Sequence, residues 1–181
     1  MLMEKNIARA VEKLLFPSNT IIIGAVLLLI YLRGEPVFVN NVLTVLFSLL
    51  VYGLVIYLFK ERIGDENKLY CIGALSALLT FFLCYRFLKL SKEIVFGAIS
   101  LLLVTLIIYT VRPRWKISGH TTALMGVWTT LSLIDLIFLP LSVLSLLIIW
   151  SRLKLKAHTP TQIIAGAIIG LSVPLTLHFF I

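Results

Sequence analysis

The sequence predicts an all-α fold, a polytopic transmembrane helical bundle, and three observations carry that expectation. The chain of 181 residues is 60% hydrophobic and only 13% charged, with a mean hydropathy of +1.08. A water-soluble domain of this size needs far more polar surface. The apolar residues fall in repeated runs of the length a bilayer demands. A bilayer core offers backbone groups no water, so helices, which satisfy those groups internally, are the default spanning structure. Strand-type alternation with regularly spaced turn signals is absent, which argues against a barrel.

Each element has its own reason. In residues 1–16, Leu2, Ile7, Val11, Leu14 and Leu15 share one face while Lys5, Arg9, Glu12 and Lys13 lie elsewhere, the pattern of an interfacial amphipathic helix. It lacks the basic tip and apolar core of a cleavable signal. Pro17-Ser18 opens an apolar run to Leu32 that is short for a full span. Val37 to Phe59 reads as a span, 60–68 as a charged loop, and Leu69 to about Tyr85 as a second span. A basic loop with Arg86, Lys89 and Lys92 precedes the span Ile94 to Val111. Thr121 to Trp150 would measure about 45 Å as one helix, too long for one span and short for two. Pro140 cannot continue a regular helix without a kink. We therefore expect two short helices with the chain turning back near Pro140. Pro160 to Ile181 is the last span, with Gly166 and Gly170 as a small-xxx-small packing face. The expected total is seven spans, or six if the first run only dips into the membrane. No internal repeat or linker divides the chain, so residues 1–181 form a single domain.

The net charge of +8 sits in short breaks between apolar runs. That distribution suits interfacial loops and anionic lipid headgroups rather than nucleic acid. Cys71 and Cys84 lie in one apolar run and read as packing residues, with neither a disulfide nor a metal-ligand pattern. His178 has no polar partner in sequence and reads as an interfacial side chain. Asp135 lies about 22 Å beyond His120 on a helical rise, near the opposite interface.

Two polar breaks carry the chemistry. The first runs R-P-R-W-K-I-S-G-H from Arg112 to His120, and the second S-R-L-K-L-K-A-H-T-P-T-Q from Ser151 to Gln162. Hydrolysis of a phosphate ester or anhydride needs cations for the phosphoryl oxygens, an in-line nucleophile, and an acid for the leaving oxygen. Arg112, Lys116 and Arg152 offer the first, with Arg114 as possible support. His120 and His158 offer the other two. No carboxylate cluster suggests a metal, and no cofactor is implied. Both histidines sit at helix starts, where free N–H groups favour an anion. Gly119 allows close backbone approach, and Thr159-Pro160 with Gln162 fits a capping box.

These residues resemble the motifs of the type 2 phosphatidic acid phosphatase superfamily, K-x6-R-P, P-S-G-H and S-R-x5-H-x3-D. Arg112-Pro113 is similar to the end of the first, Ser118-Gly119-His120 to the second with Ile117 in place of proline, and Ser151-Arg152 with His158 to the third. The resemblance covers roughly residues 105–170. It implies that His158 is a nucleophile forming a phosphohistidine and that His120 protonates the leaving group. It further implies that Arg112, Ser118, Gly119 and Arg152 hold the phosphoryl group, without a metal. Thr105 stands where the family has its first-motif lysine, and Lys116 is the candidate replacement. Gln162 stands where the family has the aspartate that orients the nucleophile. H-T-x-x-Q is similar to the dolichyl diphosphatase branch, which implies a polyprenyl diphosphate substrate. Glu61, Asp65 or Glu66 could supply the missing carboxylate if their loop folds over the site.

The expected function is thus a metal-independent lipid phosphatase acting on a dolichyl- or undecaprenyl-type diphosphate, with a membrane lipid as its partner. A phosphatidate- or phosphatidylglycerophosphate-type phosphatase and a non-catalytic headgroup-binding relative are the alternatives. A transporter fits less well, since the polar groups lie at the interface and none lines the spans. The expected location is a multi-pass integral protein of the cell membrane. The positive-inside balance favours a cytoplasmic site, whereas family analogy favours the outer face.

Overall fold

The computed structural model describes residues 2–64, 66–112 and 114–180. Asp65 and Pro113, the proline of the Arg-Pro pair, lie outside the described residues, as does the side chain of Glu66. The described residues form eight α-helices: α1 (Leu2–Leu14), α2 (Pro17–Tyr31), α3 (Phe38–Phe59), α4 (Glu66–Phe87), α5 (Lys92–Val111), α6 (Gly119–Ile134), α7 (Leu144–Lys154) and α8 (Pro160–Phe180). A 3₁₀ segment, Leu136–Val143, leads into α7.

Five stretches are long and apolar enough to cross a membrane: α3, Lys68–Phe87 of α4, α5, Leu136–Lys154 and α8. Counting Met3–Leu14 with Pro17–Tyr31, bent by 55°, as one broken span makes six. These helices fit the multi-pass helical architecture expected from composition, but the seven spans of the longer expected count are not reached among the described residues, because α6 has only 16 residues. α3 shows why such a fold needs lipid, because it leaves Leu46, Phe47, Leu50, Leu54 and Leu58 exposed. A soluble protein does not present so continuous an apolar face to water.

α6 is shorter, at 16 residues, and half of them are buried. It is the central helix, packing most extensively against α8 and also touching α2 and α5. The α6–α8 approach is set by glycine. A Cβ at Gly170 would lie 2.6 Å from the Thr122 carbonyl oxygen and 2.7 Å from Met125 Cβ. A Cβ at Gly166 would lie 2.8 Å from the Ser118 carbonyl oxygen. The small-xxx-small face of α8 thus brings two backbones together, as expected. Around this pair, Leu28, Leu78, Phe81, Ala98, Leu124, Trp128 and Ile148 form the core.

The two-helix reading of residues 121–150 holds, but the turn comes at Asp135 and not at Pro140. Asp135 has extended backbone (φ −152°, ψ 134°), and its Oδ1 accepts the Ile137 N–H at 2.8 Å. A carboxylate that caps the following turn starts a new helix by local hydrogen bonding. Pro140 is carried inside the 3₁₀ segment. Asp135 Oδ2 also accepts from Tyr31 at 2.9 Å, at the end of α6 remote from His120.

α1 does more than the interfacial reading supposed. Its Ala8 is buried, as is Leu15 in the turn that follows, and it packs along α7, while Met3, Ile7 and Leu14 stay exposed.

Candidate active site

The second break is a compact assembly of two capping motifs. At the end of α7, the Ala157 N–H donates to the Arg152 carbonyl at 3.1 Å and the Lys156 N–H to the Leu153 carbonyl at 3.0 Å. This pair of bonds is a Schellman motif. Its left-handed residue is Lys156, with φ 51°. The chain then enters α8 through the expected capping box: the Gln162 N–H donates to Thr159 Oγ1 at 3.4 Å, and the Thr159 N–H to Gln162 Oε1 at 3.1 Å. The spacing from Arg152 to His158 is therefore the length of one helix stop joined to one helix start.

Gln162 also faces the nucleophile candidate. His158 Nδ1 lies 3.2 Å from Gln162 Oε1. The Thr159 N–H donates to the same atom, which identifies it as the carbonyl oxygen and makes Nδ1 the donor. Nε2 then carries the lone pair. Burial lowers the pKa of His158 below its ordinary value; Arg152 and Lys116 act in the same direction, opposed by Gln162 and the Lys116 carbonyl. Neutral imidazole, the nucleophilic form, is favoured.

The first break docks on this assembly. The Ser118 N–H donates to the Gln162 backbone carbonyl at 3.2 Å, so the start of α6 is tied to the start of α8. Ser118 caps α6 through the Thr121 N–H and Thr121 hydroxyl. Its side chain is fully buried and is engaged in shaping the turn. Ile117, also fully buried, plugs the loop where the resembled motif has proline.

His120, in the first turn of α6, has its ring edge-on to Phe16, with centroids 5.2 Å apart. Its Nε2 is buried without a hydrogen-bond partner among the described residues. Burial pushes its pKa down to about 3, with the charges of Arg152, His158 and Arg112 adding to the effect.

Arg112, Lys116, Gly119, His120, Arg152 and His158 line the same cavity, of about 660 Å³. A Cβ at Gly119 would meet nothing within 4 Å, so space beside its backbone is open to the cavity. Thr105 lines the cavity too, so the position of the resembled lysine faces the site. From this polar end the cavity descends between α2, α3, α4, α5 and α6 along an apolar wall. On α5 the wall is the stripe Ile94, Gly97, Ala98, Ser100, Leu101, Val104, Thr105 and Ile108, about 21 Å from end to end at helical rise, with Arg112 beyond it at the polar end.

Other candidates lie outside this cluster. Arg114 donates to the Thr110 carbonyl at 3.2 Å in an exposed position at the end of α5. Thr159 is exposed and serves as a cap. Glu61 is exposed in its loop. Sequence reasoning missed Phe16, Ser18, Tyr52 and Tyr70, which line the same cavity, Phe16 against His120. Ser18 and Tyr52 share a 2.8 Å hydrogen bond. It also missed Glu12, whose carboxylate pairs with Arg152 Nη1. Nothing local marks such residues, since their meaning arises only when helices distant in sequence pack around one cavity.

Comparison of the chain with protein-family models, with curated proteins and with solved structures finds no match.

Proposed function

We propose that the chain is a membrane lipid phosphatase that hydrolyses a polyprenyl-type diphosphate, or a related lipid phosphate, through a phosphohistidine. The observation that carries this reading is one cavity with two histidines and three cations at its mouth and a largely apolar wall about 21 Å long behind them. A lipid with a phosphorylated head and a long apolar tail matches both parts.

The groups suit a double displacement. His158 Nε2 attacks phosphorus, forming an N–P bond as the P–O bond to the leaving group breaks. His120 gives its proton to the departing oxygen. Water then attacks phosphorus, gives its proton to His120, and the N–P bond breaks to release phosphate. Arg112, Lys116 and Arg152 balance the charge on the phosphoryl oxygens throughout. In the empty site His120 is neutral at pH 7. A bound phosphoryl anion opposes the local cations and raises the His120 pKa, the direction that leaving-group protonation requires.

Phosphate release from a polyprenyl diphosphate in detergent, with chelator present, tests the reading. His158→Ala should abolish release and the acid-labile phosphoenzyme. An absolute requirement for a divalent ion would overturn the mechanism. The strongly suppressed protonation of His120 favours a second reading, a headgroup binder without turnover. Trapping phosphate on His158 excludes that second reading.

A further inference from the structure

The resembled motif places a carboxylate behind the nucleophile, and this chain has Gln162 there. Yet a carboxylate does reach the cluster, from the opposite end of the sequence. Glu12 of α1 pairs with Arg152 Nη1 across 140 residues. Beside it, the Ser151 hydroxyl donates to the Ala8 carbonyl at 2.7 Å. One turn further along, Lys154 pairs with Glu4 at 2.8 Å. α1 is thus fastened to α7 at three successive points, two of them made by the Ser-Arg pair of the second break.

The placement of Glu12 is informative. Arg152 lines the cavity and Glu12 does not, so the carboxylate grips the guanidinium from behind. The Arg152 side chain is only 8% exposed, against 30% for Glu12. Its Nε is buried without a hydrogen-bond partner among the described residues. A buried N–H left unpaired is costly, and a guanidinium presents its donors in a rigid planar fork. Fixing Nη1 from one side therefore fixes how the rest of the fork faces the cavity that Arg152 lines. A plug would be a carboxylate projecting into the cavity, competing with an anion; Glu12 lies outside the wall.

We infer that Glu12 is a positioning residue of the anion site: it holds Arg152 so that the donors of its fork left on the cavity side meet a phosphoryl oxygen, and α1 is part of the site. The inference rests on the phosphatase reading for the identity of the anion. It adds that the first helix is required for phosphoryl binding, not only for membrane attachment.

The test uses the full chain in detergent and orthovanadate, an oxoanion of phosphoryl geometry, with binding read by calorimetry. Phosphate release from a polyprenyl diphosphate is measured in parallel. Glu12→Ala should weaken vanadate binding roughly tenfold or more, the range of a charge-assisted hydrogen bond, and raise KM more than it lowers kcat. Glu12→Gln, which keeps an acceptor, should lie between it and the unaltered chain. Glu4→Gln cuts the neighbouring α1–α7 ion pair without touching Arg152 and should leave vanadate affinity unchanged. Equal losses for Glu4→Gln and Glu12→Ala would show that α1 acts through stability alone and would overturn the inference. Unchanged or tighter binding by Glu12→Ala would also overturn it, the latter by making Glu12 a competitor. If the unaltered chain neither binds vanadate nor releases phosphate, the phosphatase reading fails and takes this one with it. Binding that Glu12→Ala leaves intact sinks the inference alone.

Discussion

The most consequential single side chain is Gln162, which performs two tasks with one atom. Its Oε1 accepts from His158 Nδ1 and from the Thr159 N–H, so it sets the histidine tautomer and completes the cap of α8. A neutral amide can do both, but it gives an imidazolium no full charge. Burial depresses the pKa of His158, and the Gln162 hydrogen bond, without a full charge, offsets that only in part. Gln162→Glu preserves both hydrogen bonds and adds the charge, so the His158 pKa should rise. The sign is then determined. The neutral, nucleophilic form is lost at a higher pH, and the acidic limb of the pH–rate profile moves upward. Stability responds in the same sense. With a folded pKa below the ordinary 6.5, His158 lowers stability as pH falls through 6.5 toward its folded value, and the glutamate variant should lose less. Histidine titration by NMR and acid unfolding curves would check both. An acidic limb and titration midpoint that do not move would show that Gln162 does not govern this ring.

At the scale of elements, the link between α7 and α8 shows what was legible and what was not. The arginine, the histidine and the capping pair were readable as residue types at a spacing. The Schellman stop was not, because its left-handed position holds Lys156, where glycine is the usual signal. A non-glycine residue there pays for its Cβ. Lys156→Gly should therefore stabilise the chain by about 1 kcal/mol while keeping the Arg152–His158 geometry. A thermal melt in detergent showing a lower midpoint would contradict this. Similar reasoning explains the turn after α6. A proline is an obvious helix breaker in sequence, whereas Asp135 reveals its role only when its carboxylate reaches Ile137 N–H and the Tyr31 hydroxyl. The docking of α1 was not readable at all. Its apolar face resembled that of an interfacial helix, and the partners that redefine it, Ser151, Arg152 and Lys154, lie on the far side of the sequence.

On the scale of the whole molecule, the bundle leaves its central space unfilled by side chains. Small residues, Gly97 and Ala98 on α5, Ala74 and Ala77 on α4, and Gly24 and Ala25 on α2, line the cavity. A membrane protein that packed for stability alone would close such a gap, since unfilled apolar volume costs stability. Gly97 isolates the point. A Cβ there would meet only Leu28 Cδ2, at 3.9 Å, an ordinary contact, so a larger side chain has room to enter the cavity. Gly97→Leu should therefore fold at least as well as the unaltered chain, gaining helix propensity of up to about 1 kcal/mol. It should nevertheless lose tenfold or more of its kcat/KM on a long-chain polyprenyl diphosphate. A short-chain diphosphate, whose tail ends before the obstruction, should be hydrolysed as before. The contrast between the two substrates separates tail exclusion from damage to the polar end, because a disturbed phosphoryl site penalises both equally. Equal losses on both would mean that the lipid tail lies outside the bundle and that the apolar wall has another occupant.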